Sequence, residues 1–460
     1  MSLLAPQKVS VEENFIRMTE TPVSRLIASL AVPTIITMLV TTFYNMADTV
    51  FVSRLGTQAS GAVGIVFSLM SIIQAIGMTL GMGGGNFIAR LLGAKENEKA
   101  NQVLATAFFT ALGIGFLLMV FGLLFLDSFM RLLGSSETIL PYAKDYGSII
   151  LIGAPIMAAT FVMNVCLRSE GSASLGMRGM VTGSLLNVAL DPLLIFTFKM
   201  GIRGAAIATV FSQCVSFVIL LSFYLKGRST VKLSYKNFRL KKWAHKEIVI
   251  TGMPAFYRQG MASISMILLN ILARPFGDSA LAAMAIVART MQFLGSALIG
   301  FGQGFQPVAG FSWGAKKYNR LKEAFKFSIL TGIIGFSVIG ALGFVFANTI
   351  MVFFIKTDPK VVEIGALAMR LQCVVMPLQA INIIISMLFQ SIGKATQASL
   401  TALSRQGLFF IPVVLVMSQT LGIFGIQLSQ PISDLGTFML SITMFFLFIR
   451  NNQTWGRDIS

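Results

Sequence analysis

The sequence predicts an all-α integral membrane protein. It should carry twelve transmembrane helices in two six-helix bundles, related by a pseudo-two-fold along the membrane normal. Three observations predict this. Of 460 residues, 55% are hydrophobic and only 12% charged, too little polar surface for a soluble domain of this length. Apolar runs of about 20 residues, the length a helix needs to cross a bilayer core, recur along the chain. Landmarks of the first half also return in the second at a constant offset of 221.

The elements follow in order. Residues 1–24 are mixed and polar ("SVEENFIRMTETPVSR"), with no charged n-region and apolar core of a cleaved signal, so they read as a cytoplasmic lead-in. The N-terminal bundle, 25–226, holds six spans, each closed by polar or turn-forming residues. Span one (27–53) ends at "SRLG", span two (60–86) before "GAKENEK", and span three (101–126) at "LDSFMRLLGSSE". Span four (144–167) ends before "RSEGS", span five (176–198) at "KMGIRG", and span six (204–226) at "KGR". A basic cytoplasmic linker, 227–246, divides the chain near its middle. The C-terminal bundle, 247–450, holds spans at 247–273, 280–306, 325–352, 366–390, 400–419 and 424–449, and 451–460 is a cytoplasmic tail.

The repeat is gapless. Pro33 matches Pro254, Gly56 matches Gly277, Gly81 and Gly83 match Gly302 and Gly304, and "GAK" at Gly93–Lys95 returns at Gly314–Lys316. "GIRG" at Gly201 to Gly204 returns as "GIFG" at Gly422 to Gly425. An even number of spans per half gives both halves the same orientation, the arrangement of transporters that alternate access around a cleft. The even connections carry 19 Lys and Arg against 8 in the odd ones. The positive-inside rule therefore puts the even connections and both termini in the cytoplasm of a multi-pass cell-membrane protein. The net charge of +18 is spent on topology and anionic lipid, not on nucleic acid. The internal repeat makes a monomer sufficient.

Few residues can carry chemistry within the membrane. The cysteines Cys166, Cys214 and Cys373 have no metal or redox spacing, and the sole histidine, His245, lies in the basic linker. No nucleotide-binding loop or catalytic triad is present, so the chain is expected to be no enzyme and to need no cofactor beyond a coupling ion. Intramembrane charge marks an ion or substrate path. The acidic candidates are Asp48, Asp191 and Asp434, and the basic ones Arg258, Arg289 and Arg370.

Asp48 lies six residues before Arg54 and Asp191 eight before Lys199, which places both about 9–12 Å below the outer basic flank. Asn187 is one turn before Asp191, and Pro192 has no N–H for the carbonyl of Val188. On span six, Ala205 and Thr209 sit one turn apart just below the outer surface. Asp48, Asn187, Asp191 and Thr209, with a carbonyl such as that of Ala205, make a hard-oxygen set for Na⁺. Two neighbouring carboxylates repel one another, which a proton relieves equally well. The set suits either ion. The second half lacks the pair, because Asp48 maps to Leu269 and Asp191 to Pro412. Asp434 has no acidic partner and is expected to bond neighbouring helices, and the three arginines to pair or snorkel. Asn45, Arg258, Gln259 and Arg289 are candidates for a substrate cavity. Most of the 26 Met and 39 Phe are expected in helix packing or facing lipid.

"FYNMADTVFVSRLG", "GGGNFIARLLGAKENEKA", "LRSEGSA", "NVALDPLLIF" and "GIRGAAIATVFSQ" resemble the multidrug and toxic compound extrusion family over about residues 20–450. The resemblance implies a Na⁺- or H⁺-driven antiporter exporting organic cations and other amphipathic drugs or metabolites. It also implies a first-bundle cation site at Asp48, Asn187, Asp191, Ala205 and Thr209. Branches resembling the NorM type add acidic residues on helices seven and ten. Here span seven offers Arg258 and Gln259 and span ten offers Gln372, Gln379 and Asn382, which is closer to the DinF-like branch. A lipid-linked precursor flippase of the same superfamily, with Arg258 and Arg289 facing phosphates, is one alternative. A passive channel or receptor is the other.

Overall fold

A computed structural model describes residues 10–238, 242–355 and 358–451. Residues 1–9 of the expected lead-in, Arg239 and Lys241 of the linker, Lys356, and the tail from 452 lie outside the described residues. Among the described residues the structure is helical without a strand.

A short helix α1 (Val11–Glu20) precedes the first bundle: α2 (Val23–Ser53), α3 (Thr57–Gly93), α4 (Asn97–Leu124), the two-turn α5 (Leu126–Leu132), α6 (Leu140–Ser169), α7 (Ala173–Pro192) and α8 (Gly201–Leu225). The second bundle repeats it: α9 (Lys242–Ala273), α10 (Asp278–Gly314), α11 (Tyr318–Val345), α12 (Ala347–Phe354), α13 (Pro359–Ser391), α14 (Ala395–Leu403) and α15 (Phe410–Asn451). Among the described residues ten helical runs are long and apolar enough to cross a membrane, one of them the continuous 57-residue stretch Ala395–Asn451. That stretch breaks at Gly422, where φ is 60° and ψ −134°, so it supplies two spans. α9, 32 residues long but charged at its start and centre, completes the twelve.

The repeat is written in the backbone. α3 and α10 are both 37 residues, α4 and α11 both 28, and each pair is displaced by 221. Left-handed backbone occurs at the matched positions Gly56 and Gly277, Lys95 and Lys316, and Gly201 and Gly422. The repeated glycines therefore mark where the chain must turn with positive φ. "GAK" is conserved between the halves although its lysine, not its glycine, adopts that conformation.

The bundles meet at the ends that carry the even connections. A Cβ on Gly93 would overlap the carbonyl oxygen of Phe311, and one on Gly314 the carbonyl oxygen of Arg90. These two contacts exchange under the offset of 221, so the pseudo-two-fold passes between α3 and α10 here. Gly83 lies on the backbone of Ile248, Gly252 on that of Thr79, Gly300 on Ile35 and Gly304 on Ala31. Small residues permit backbone-to-backbone approach where lipid gives no hydrophobic drive for association. Towards the odd connections Gly64, Gly260 and Gly295 meet nothing within 4 Å.

Several charges assigned to connections are in fact helical. α3 and α10 run past the expected ends of spans two and eight, so Arg90 is inside α3. Arg168 closes α6, Arg178 is in α7, and Arg405 sits in a π-helical turn, Ser404–Leu408, within span eleven. Hydropathy falls at each charge, but the helix continues through it. Arg90 reaches across the bundle boundary to Glu247 at 2.8 Å and lies 5.1 Å from the Phe87 ring centroid.

α1 ties the two bundles together at this closed end. Ser10 caps it in a capping box with Glu13. Asn14 Nδ2 donates to the carbonyl of Glu170 at 2.8 Å and Arg17 Nη2 to that of Gly171 at 2.6 Å, both in the first bundle. Arg320 of the second bundle donates to the carbonyls of Met18 (3.2 Å) and Thr21 (2.6 Å), and Lys317 to that of Thr19 (3.4 Å). These cations satisfy the orphan carbonyls of the helix end and match its dipole.

Glu170, fully buried between α6 and α7, also anchors the linker: its Oε2 accepts from Ser229 Oγ at 2.7 Å and Val231 N at 3.0 Å. Burial pushes its carboxyl up from 4.5 to about 7. A raised folded-state value stabilises the fold below the unfolded value and loses that contribution as pH rises through the folded one. The melting temperature of the purified protein should therefore fall between about pH 5 and about pH 8, and Glu170→Gln should flatten that dependence. An unchanged slope in the Gln variant would exclude Glu170 as its source.

Candidate cation site in the first bundle

Local sequence shapes the site from α7 outward. Pro192 ends the α-helical hydrogen bonding and the chain continues through a π-helical turn, Leu193–Thr197, before Gly201 turns it back at φ 56°. Gly204, in the first turn of α8, lies on the backbone of Leu194, leaving only 2.8 Å for a Cβ. Gly183 on α7 lies equally close to α8 at Ser212 and Ser216. The two glycines clamp α7 and α8 above and below the residues Asn187, Asp191, Ala205 and Thr209.

The structure brings the expected set together. Asp191 and Ala205 are fully buried, Asn187 and Thr209 nearly so. Asn187 Nδ2 bridges Asp191 Oδ1 and Thr209 Oγ1, each at 3.4 Å. Asp48, half-buried on α2, lies near enough for its charge to act on Asp191. α2 packs on α7, so the pair lies inside the first bundle.

Three residues join that the sequence reading passed over. Tyr44, one turn before Asp48, lies against Gln213, itself one turn after Thr209. Tyr146 of α6 sits beside Thr209. The i, i+4 spacing was a legible signal for Tyr44 and Gln213. Tyr146 has no such signal, because only the packing of α6 on α8 brings it in.

Hydrogen bonding is incomplete in a consistent way. Asp48 Oδ1, Asn187 Oδ1, Asp191 Oδ2, Gln213 Oε1 and the Tyr146 hydroxyl are all buried without a protein partner. Buried oxygens left open are costly. Four of the five are carbonyl or carboxylate oxygens that can only accept, from two carboxylates and two amides, so a cation or a proton fits and an anion does not. Among the described residues no group of three or more His, Cys, Asp or Glu occurs. The donor set of two carboxylates and neutral oxygens matches a singly charged ion.

Among the described residues the second bundle has no matching pair of carboxylates. Asp434 is fully buried but accepts from Arg405 Nε at 2.7 Å, Gln379 Nε2 at 2.7 Å and Gln430 Nε2 at 3.3 Å. Its partner is thus Arg405, assigned from sequence to a connection. Arg370 bonds the Phe344 carbonyl at 3.4 Å and lies over that ring. Arg258 is half-buried and Arg289 exposed, and neither has an ion pair or hydrogen bond among the described residues. Asn45 and Gln259 are half-buried, and only their backbone carbonyls are engaged, by Thr49 and Ser263.

Two repeated helical bundles packed through glycine and a buried oxygen site in one define a multi-pass membrane transporter with an internal repeat. It is a transport protein, not an enzyme. The chain belongs to the MatE family, whose model matches residues 33–193 and 254–416, once in each bundle. It is 25% identical to the multidrug export protein MepA of Staphylococcus haemolyticus over 96% of this chain and 97% of that one. A solved outward-facing multidrug resistance MATE transporter is 26% identical with a TM-score of 0.90, covering 95% of this chain and 98% of its own. A Pyrococcus furiosus transporter, described as having a binding pocket of reverse polarity that suggests a different function, is 27% identical with a TM-score of 0.88 and the same coverage.

Proposed function

We propose that this chain is a secondary active exporter of organic cations and other amphipathic compounds, driven by inward Na⁺ or H⁺. The observation that carries the reading is the set of buried, unpartnered acceptor oxygens on Asp48, Asn187, Asp191 and Gln213. Multidrug export by relatives that align over nearly the whole chain supports the cargo class. Asp48, Asn187, Asp191, Thr209 and the carbonyl of Ala205 hold the ion. Asn45 and Gln259 lie on helices that border the cleft and are the polar contacts offered to cargo.

With the even connections in the cytoplasm, the glycine-packed end is the inner one and the cleft opens outward. Ion entry neutralises the Asp48–Asp191 pair, and α2, which carries Asp48 and packs on α10, transmits the change to the other bundle. Coupling requires that ion and cargo differ in affinity for the two facing states. The chain works as a monomer in the cell membrane, each half supplying one bundle. The test is uptake of a labelled organic cation into inverted membrane vesicles under separate Na⁺ and pH gradients. Stimulation by one gradient supports the reading. Equal uptake with no gradient would instead mark a passive pathway.

Inward opening has to release α1 and the Arg90–Glu247 pair. Arg320→Ala removes two of the bonds that hold α1 to the second bundle. The expected result is a shift of about 1–2 kcal/mol towards the inward-open state, read as raised labelling from the cytoplasmic side of a cysteine placed at Thr251, a buried residue beside Arg90, with the Thr251→Cys parent as reference. No change in labelling would show that α1 does not bias the equilibrium.

A further inference from the structure

Gln213 and Asp434 each lie twelve residues beyond a glycine with positive φ, Gly201 and Gly422, and so hold one position in the two halves. Thr209 matches Gln430 and Ser212 matches Ser433 at the same offset. The helix packing agrees. In the first bundle Gly183 of α7 lies against Ser212 and Ser216 of α8, and in the second Ser433 Oγ of α15 donates to the carbonyl of Arg405. Arg405 therefore stands where α7 carries Gly183 and Ser184, one turn before Asn187.

The charges differ at these matched places. Leu269 and Pro412 stand where the first bundle has Asp48 and Asp191, and Leu269 is buried. A single carboxylate, Asp434, appears instead at the place of Gln213, whose Oε1 is one of the open acceptors of the first-bundle site. Arg405 Nε lies on Asp434 Oδ1 at 2.7 Å. Gln430, at the place of Thr209, donates to the same oxygen, and Gln379 of α13 to the other. Asn382 Nδ2 donates to the Asp434 carbonyl at 3.2 Å, while its Oδ1 stays buried without a partner. Thr437 Oγ1, one turn after Asp434 on α15, is buried and unpartnered too. A buried carboxylate needs a counter-charge to stay ionised. In the first bundle the described residues supply none, so the charge has to come from solution. In the second it is carried on a side chain and cannot leave.

We propose that Arg405 is a resident cation, its guanidinium filling in the second bundle a site that corresponds to the coupling-ion site of the first, so that the second bundle contributes no exchangeable ion to the cycle. Only that last clause rests on the export reading. The site itself, formed by Asp434, Gln379, Gln430 and Asn382, accepts a free monovalent cation once the tether is cut, since each amide can turn its oxygen towards the vacancy. Arg405 is then a positioning residue, distinct from a merely structural partner because another cation can replace it.

The test uses the full chain in nonionic detergent and reads thermal unfolding in choline chloride against equal concentrations of NaCl or guanidinium chloride, far below denaturing levels. Arg405→Ala should unfold at a lower temperature than the wild type in choline. Guanidinium or Na⁺ should then raise its unfolding temperature by about 2 °C or more beyond the rise seen in the wild type, saturating as a bound ligand does. The wild type is the reference because it registers any ion held by the first bundle. Adding Asp434→Asn to Arg405→Ala should abolish the extra rise. Arg405→Lys, which keeps a tethered charge, should retain most of the stability and show no extra rise, whereas Arg405→Gln should behave as the Ala variant does. Equal rises in Arg405→Ala and the wild type with both cations would overturn the proposal and leave a structural ion pair. Arg405→Lys losing as much stability as Arg405→Gln would overturn it as well, and that comparison decides if the Ala variant does not fold. If the wild type exports nothing under any gradient, the export reading fails, while the extra rise still decides what fills the Asp434 site.

Discussion

Asp191→Asn is expected to abolish gradient-driven export while the protein still folds. The amide is nearly isosteric with the carboxylate, and its oxygen can keep the contact that Asn187 Nδ2 makes with Asp191 Oδ1. What disappears is a charge whose second oxygen is buried without a partner. A neutral group neither attracts a cation nor exchanges a proton, so the ion no longer distinguishes the two facing states. Losing coupling of this kind corresponds to about a 100-fold fall in the gradient-dependent rate, the upper range of such couplings. The measurement is cation uptake in proteoliposomes with and without the gradient, alongside size-exclusion elution as a folding control. Asp48→Asn should act in the same direction. Export that keeps its gradient dependence in both variants would remove the pair from the mechanism.

Asp434→Ala should be among the most destabilising substitutions, at about 3–5 kcal/mol, because it strips the counter-charge from Arg405 and leaves Gln379 without its acceptor. The double change Asp434→Leu with Arg405→Leu should recover most of that loss, since replacing both partners leaves no bare charge. Thermal unfolding in detergent measures both. The ion dependence of export should survive in the double variant, because the network is closed and holds no free oxygen on the Asp434 side chain for a coupling ion. Loss of ion dependence there, with stability recovered, would give Asp434 a part in coupling.

The contrast between Asp191 and Asp434 shows how far the sequence reaches. Both are lone acids in apolar runs. Depth counting paired Asp48 with Asp191, and i, i+4 spacing added Asn187 and Thr209, because helix geometry fixes rise and face per residue. No spacing rule could join Asp434 to Arg405, which is 29 residues away. A π-helical turn rotates Arg405 into the bundle, and hydropathy had placed it outside. Glu247, the first residue of an expected span, was equally unreadable until Arg90 was seen across the bundle boundary.

By itself the sequence determined the helical membrane fold and its repeat, apart from a one-residue shift where Gly171 and Gly393 lie 222 apart, and it named the oxygen-bearing residues that α2, α7 and α8 bring together. These depend on local quantities: apolar length against bilayer thickness, glycine where φ must be positive, and residue spacing along a helix. The tertiary structure alone decided which charges are spent and which are free. It closed the bundles at the glycine-rich ends of α3 and α10, laid α1 across that end, sealed Asp434 with Arg405 and, among the described residues, gave Arg258 no ion pair. The physical reason is that in a low-dielectric interior a charge is defined by what lies within a few ångströms, and those neighbours come from helices far apart in the chain.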